Sequence, residues 1–203
     1  PSPPSTGVPT NLTIFDGTAN PNWAAWDCCG GSTPMVVEDA EQGNVVEFNV
    51  GATATVNGFI SRDAFITDPN GKGTPFDASP LIDNGTISFT MKVVSPPNNA
   101  DAAWLFKVES SEGTTAVELP LTESNEGQAP VVGEWQTYTY SLKNLADGGL
   151  DLSAIDVVMV FPAWGSGEGA VYQIADFTIG ADVSAPQLTV FTDQENPSWP
   201  MWD

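Results

Sequence analysis

Between Asn11 and Ala181 the chain is divided into short runs in which apolar and polar side chains alternate. The cleanest is TISFTMKVV, where Ile87, Phe89, Met91 and Val93 alternate with Thr86, Ser88, Thr90 and Lys92. A period of two belongs to a strand with one face buried and the other wet. NVVEFNV repeats the pattern, setting Val46, Phe48 and Val50 against Val45, Glu47 and Asn49, and TATVNGFISR continues it. NLTIF, PMVVEDA, DAAWLFKVE, TAVELPL, EWQTYTYSL, IDVVMVFPA and VYQIADFTI are also of strand length, each bounded by Gly, Pro, Asn, Asp or Ser. Only KNLADGGLDLSAI has the composition of a helical turn, and Asp63 to Asn84 reads as a long irregular loop. About ten strands with turn signals between them predict an all-β protein, an antiparallel β-sandwich of jelly-roll type.

One stretch occurs twice. LTIFDGTANPNWAAWD, residues 12–27, returns as LTVFTDQENPSWPMWD at residues 188–203, with the Leu, the Phe, the Asn-Pro pair, both tryptophans and the closing aspartate in register. A period this long marks beads on a string and not a short solenoid repeat. The expected organisation is a linker over 1–10, one module over 11–181, and a linker with the start of a second tandem copy over 182–203. PSPPSTGVP is too poor in apolar side chains to order itself.

Charge narrows the partners. There are 26 acidic residues against 5 basic ones and no histidine, a net charge of -21. Such a surface repels phosphate backbones and anionic bilayers, so neither nucleic acid nor membrane is expected, and a neutral, soluble partner fits. No stretch approaches the roughly 20 apolar residues that span a bilayer. Salt or a divalent cation would relieve the mutual repulsion of the carboxylates, which points to a saline setting, with the protein secreted or on the cell surface. Without histidine the commonest general base and the usual zinc and serine-triad sites are gone. Glu47 and Glu118 stand alone on their strands, so no carboxylate-pair motif replaces them, and a binding protein is expected in place of an enzyme.

IFDG, WDCCGGSTP, GNVVEF and GFISRDAF, followed by GEWQTYTYSLKNL, VVMVFPA and YQIADFTIG, resemble the carbohydrate-binding modules of the galactose-binding-like jelly-roll fold. More narrowly, IFDG, WDCCGGSTP, GNVVEF and GFISRDAF resemble the C-terminal module of marine bacterial exo-β-glucanases and the tandem modules attached to laminarinases and related polysaccharide hydrolases. WDCCGGSTP is the specific part, whereas GEWQTYTYSL recurs in many sugar-binding sandwiches. The resemblance implies a non-catalytic module that holds a covalently linked hydrolase on a polysaccharide, a β-1,3-glucan such as laminarin. The other readings are a spacer or adhesin repeat of a secreted protein and a carboxylate-pair hydrolase.

A sugar offers an apolar face and a rim of hydroxyls, so its site needs an exposed flat ring beside amide, carboxylate or guanidinium groups. Trp23 and Trp26, in a polar stretch next to Asp27, meet that demand, as does Trp164 in the loop PAWGSGEG. Against this, the spacing of Trp23 and Trp26 also fits a helical turn plugging one end of the sandwich, with at least one ring in the core. Trp104 and Trp135 sit in alternating strands and are expected in the core. Cys28 and Cys29 are adjacent, either bridged to each other as a rigid apolar platform for a sugar or present as two small thiols. Arg62, the only arginine, either forks onto sugar hydroxyls or pairs with a carboxylate. The resemblance further implies a structural calcium ion between the first loop and the last strand, at Asp16 and Asp176.

Overall fold

The computed structural model describes residues 11–181. The linkers and the second copy expected over 1–10 and 182–203 lie outside the described residues. Eleven strands follow in order: β1 (Leu12–Phe15), β2 (Ala24–Asp27), β3 (Met35–Asp39), β4 (Gly43–Asn49), β5 (Asn57–Ile60), β6 (Gly85–Ser95), β7 (Trp104–Ser110), β8 (Thr115–Pro120), β9 (Trp135–Ser141), β10 (Ile155–Pro162) and β11 (Val171–Ala181). They form two antiparallel sheets. One has the order β3-β4-β11-β6-β9, with β1 paired to the far part of β11, and the other runs β2-β5-β10-β7-β8. Among the described residues a single short α-helix, α1 (Leu142–Asp147), sits where the helical turn was expected, capped by the Ser141 hydroxyl, which accepts the Asn144 N–H.

The alternating runs place one face of each sheet in a shared core. Ile87, Phe89, Met91 and Val93 of β6 meet Phe48 of β4, Tyr172 and Phe177 of β11, and Phe106, Val108, Val158 and Val160 of the opposite sheet. Rings organise its centre: Phe89 stacks on Phe177 at 4.9 Å and Phe106 on Tyr140 at 4.3 Å. Burial pushes the Tyr138 hydroxyl up to about 12.

Two expectations are corrected here. The residues around Trp26 are a strand and not a helical turn, because Ala24–Asp27 pairs antiparallel with β5 from Ala24↔Ile60 to Asp27↔Asn57. Trp135 is half-buried on the outer face of the six-stranded sheet and not in the core. It lies opposite Lys92, whose ammonium stands 4.6 Å from the centre of the indole.

Lys92 also pairs with Asp39 at the tip of the β3–β4 hairpin, and this bond holds the Asp39 carboxyl down at about 2. A depressed carboxyl contributes stability that is present above its unfolded value near 3.9 and disappears as pH falls toward 2. Asp39→Asn is therefore expected to flatten the pH dependence of the melting temperature between about pH 4 and pH 2. Thermal melts of both proteins across that window check it, and an unchanged acid slope would remove Asp39 as its source.

Candidate functional site

β10 is buried at every position from Ile155 to Pro162. Its alternate residues face different surroundings: Val158 and Val160 join the core between the sheets, whereas Val157, Met159 and Phe161 form a second apolar cluster with Ile60. That second cluster lies on the outer side of the five-stranded sheet. Ala24, Trp26, Val56 and Leu105 pack against it. The register draws one row straight across this face, Trp26–Gly58–Met159–Lys107–Glu118, one residue from each of the five strands. Gly58 is required there, since a Cβ would stand 2.0 Å from the Val158 carbonyl oxygen. Along β10 the strip runs about 20 Å from Asp156 to Pro162 at the usual rise of a strand.

Strand geometry separates the first two tryptophans. Neighbouring positions in an extended chain face opposite ways, so residues three apart do as well. Trp23, 5% exposed, enters the core and is not a surface ring, which corrects its assignment as a sugar contact. Trp26 lies on the outer face, edge-on to Phe65 at 5.9 Å with the planes at 75°. Phe65 belongs to a one-turn 3-10 segment, Asp63–Phe65, that directly follows Arg62. It was missed because the irregular stretch Asp63–Asn84 has no period to assign it to a face.

The lone arginine is committed. Its Nε and Nη2 donate to the Asp156 carboxylate at 2.9 and 3.2 Å, and Nη2 also to Glu109 at 3.0 Å, while Lys107 pairs with the other Glu109 oxygen at 3.1 Å. These partners push the Arg62 guanidinium further above its ordinary value, the Asp156 hydrogen bonds most of all. Asp156 is fully buried, which makes the carboxylate pairing weighed for Arg62 the observed one. Around the fork opens a cleft of about 630 Å³, lined also by Asp63, Phe65, Gly73, Pro75 and Glu112.

At the other end of the face, Cys28 and Cys29 form a vicinal disulfide with their Cα atoms 3.7 Å apart. The Cys28 N–H donates to the Val56 carbonyl at 3.1 Å, which prolongs the β2–β5 ladder, and Cys29 is exposed. Asp27 is held internally, accepting from the Thr55 hydroxyl and from the Ser32 N–H at 3.3 Å. A polar chain continues inward from Ser32 to Asn57 at 2.6 Å, then to the Tyr172 hydroxyl at 2.9 Å, which donates to the Val160 carbonyl at 2.6 Å. Trp164, 59% exposed, follows β10 by two residues. Gly165, Gly167 and Glu168 of its loop and the 51–55 loop line one small hollow, and Thr55 touches the Cys28 sulfur, so the disulfide and the loop that carries Trp164 lie at one end of the sandwich.

Asp16 follows Phe15 and Asp176 precedes Phe177, the pair that faces across the β1–β11 ladder. Asp16 accepts the Thr18 N–H in a tight turn, and desolvation raises the half-buried Asp176 carboxyl. Among the described residues no group of three or more carboxylates or thiols is placed to hold a metal. Two carboxylates supply a minority of the six to eight oxygens that calcium takes.

No protein-family model matches the chain, and no curated protein matches it in sequence. Solved structures do match in shape. The family 30 carbohydrate-binding module of a cellulosomal cellulase of Clostridium thermocellum aligns with a TM-score of 0.60 at 16% identity, over 86% of this chain and 99% of that one. The two share a β-sandwich fold. The family 11 module of another cellulosomal cellulase of the same organism aligns at 0.52 and 14% identity, over 87% and 97% of the two chains. An exo-β-agarase aligns at 0.56 and 14% identity, over 88% of this chain but 26% of its own. Identities at this level establish the sandwich, not its ligand.

The ion cluster carries a prediction. Arg62→Ala should lower stability by about 3–5 kcal/mol, because Asp156 is then a buried carboxylate with no cation beside it. Adding Asp156→Asn should restore part of it. Denaturant melts of the single and double variants check this, and a single variant as stable as wild type would show that Asp156 is neutralised by another group.

Proposed function

We propose that the protein is a non-catalytic carbohydrate-binding module that holds a neutral polysaccharide on the outer face of its five-stranded sheet. The observation that carries this reading is the second apolar cluster, Ile60, Val157, Met159 and Phe161, formed on the solvent side of a sheet and flanked by Trp26 and Phe65. Sheets of ordinary sandwiches keep such residues for the core and turn polar ones outward. Rings beside Lys107, Glu109 and Glu118 match the apolar face and hydroxyl rim of a sugar. A surplus of carboxylates disfavours anionic glycans. The fold shared with modules of cellulosomal cellulases supports the same reading.

The finer reading is a β-1,3-glucan such as laminarin, with the module tethered to a hydrolase outside the cell. It follows from the resemblance of WDCCGGSTP and its neighbours to laminarinase-associated modules. On this reading Trp164 and the Cys28–Cys29 ring extend the sugar surface at the rim, and calcium at Asp16 and Asp176 is structural. A spacer role is the competing reading, and the exposed Trp164 counts against it.

Retardation in gels containing laminarin, mixed-linkage glucan, agarose or alginate tests the ligand, and retardation in none of them would favour the spacer. Trp26→Ala and Trp164→Ala should each weaken binding about tenfold, on the order of 1.4 kcal/mol, with little change in melting temperature for the exposed Trp164 and a lowered one for Trp26, whose indole covers the apolar cluster. Trp23→Ala should instead destabilise the fold by about 3–5 kcal/mol, as an emptied core site does. Surface variants that melt early and bind normally would move the site elsewhere.

Calcium has its own test. With a cation shared by the two aspartates, chelator lowers the melting temperature by mass action and leaves glycan affinity unchanged. Without one, Asp176→Asn should raise the melting temperature, since it removes a desolvated carboxylate.

A further inference from the structure

We propose that the cleft above Arg62 is a subsite for the terminal sugar residue of a neutral glycan chain, an inference that rests on the outer face being the glycan surface. The cleft adjoins that face through Phe65, which lines the cleft and touches Trp26. At its far side stand two walls. One is the segment from Gly73 to Pro75, fastened by the Gly73 N–H to Asp63 at 2.8 Å and by the Thr74 N–H to the Ser61 hydroxyl at 2.7 Å. It lies so close that a Cβ on Gly73 would meet the Asp63 nitrogen at 2.5 Å. The other is the turn between β7 and β8.

That turn is strained. Ser111 and Glu112 have φ of 53° and 56°, the left-handed region, and neither is glycine. Hairpin turns with two such positions ordinarily use Asn-Gly, because each non-glycine residue held there costs free energy. Part of the strain has a structural cause: the Ser111 N–H reaches the Ala154 carbonyl at 2.9 Å and the Glu112 N–H reaches the buried Asp156 carboxylate at 2.8 Å. Those bonds need only the backbone, and glycine at position 112 would supply the same N–H without strain. What they leave unexplained is the side chain. Glu112 is exposed and lines the same cleft as Phe65 and Arg62, within reach of whatever enters it.

A ring for an apolar face, the Arg62 Nη1, which neither Asp156 nor Glu109 takes, to donate and a carboxylate to accept suit one sugar residue with its hydroxyls. Asp63, Glu109, Glu112 and Asp156 outnumber Arg62 and Lys107 there, so an acidic sugar is disfavoured. The two walls stand beyond the ends of β5 and β7, so a chain lying on the face stops at this cleft instead of running through it.

The test uses laminarihexaose and longer laminarin fractions in calorimetry and melting experiments on the whole chain. Glu112→Gly is expected to raise the melting temperature by about 2–4 °C while weakening hexaose binding about tenfold. Ser111→Gly should give a similar rise with affinity unchanged, which separates relief of strain from loss of the carboxylate. For wild type, the number of modules bound per glucan chain should stay constant as the chain lengthens. Glu112→Gly with raised stability and full affinity, or binding stoichiometry growing with chain length, would overturn the subsite while leaving the face. Trp26→Ala without effect on hexaose binding would overturn the face reading and the subsite with it.

Discussion

A strand buried on both sides must find apolar cover on each, and β10 finds it in two different ways. Toward the core, Val158 and Val160 are covered by the opposite sheet. Outward, no second sheet among the described residues covers it, and Val157, Met159 and Phe161 pack against Ala24, Trp26, Val56 and Leu105. The one charged residue of the strand, Asp156, is tolerated because Arg62 forks onto it, and Arg62 in turn is shared with Glu109. Apolar floor and ion cluster are thus two answers to the same constraint. Together they set what the outer face presents to solvent.

The alternation of β4 and β6 gave the two-layer fold directly, because a half-buried strand writes its burial into every second residue. The face of β10 was not legible for the converse reason. IDVVMVFP reads as a fully buried strand, and nothing in it says that one of its sides looks away from the core. Trp23 and Trp26 were found as a pair from composition, but telling them apart required knowing that their segment is extended. Lys107 and Glu118 share a face with Trp26 only through the pairing of five strands, which no local pattern carries. The lone arginine pointed to a carboxylate partner by charge balance, yet not to Asp156, 94 residues away.

The polar chain from Asp27 through Ser32, Asn57 and Tyr172 to Val160 gives the rim its own anchoring. Every member has a partner, which is the condition under which a buried polar network stiffens a fold. It fixes the segment after β2 to the floor of the sandwich independently of the disulfide beside it. The bridge between adjacent residues closes almost no loop, so it adds little constraint to the unfolded chain. Its contribution is therefore local shape.

β1 and β11 lie side by side and antiparallel, with Leu12 opposite Ile179 and the Asn11 side chain accepting the Ala181 N–H. The chain thus enters and leaves the module at one corner. Tension applied through the two flanking segments would peel that short ladder open one hydrogen bond at a time, as a zipper, instead of shearing it all at once. Load would enter through the six-stranded sheet and bypass the five-stranded one. Under such a load the corner would open first, while the opposite sheet keeps its shape.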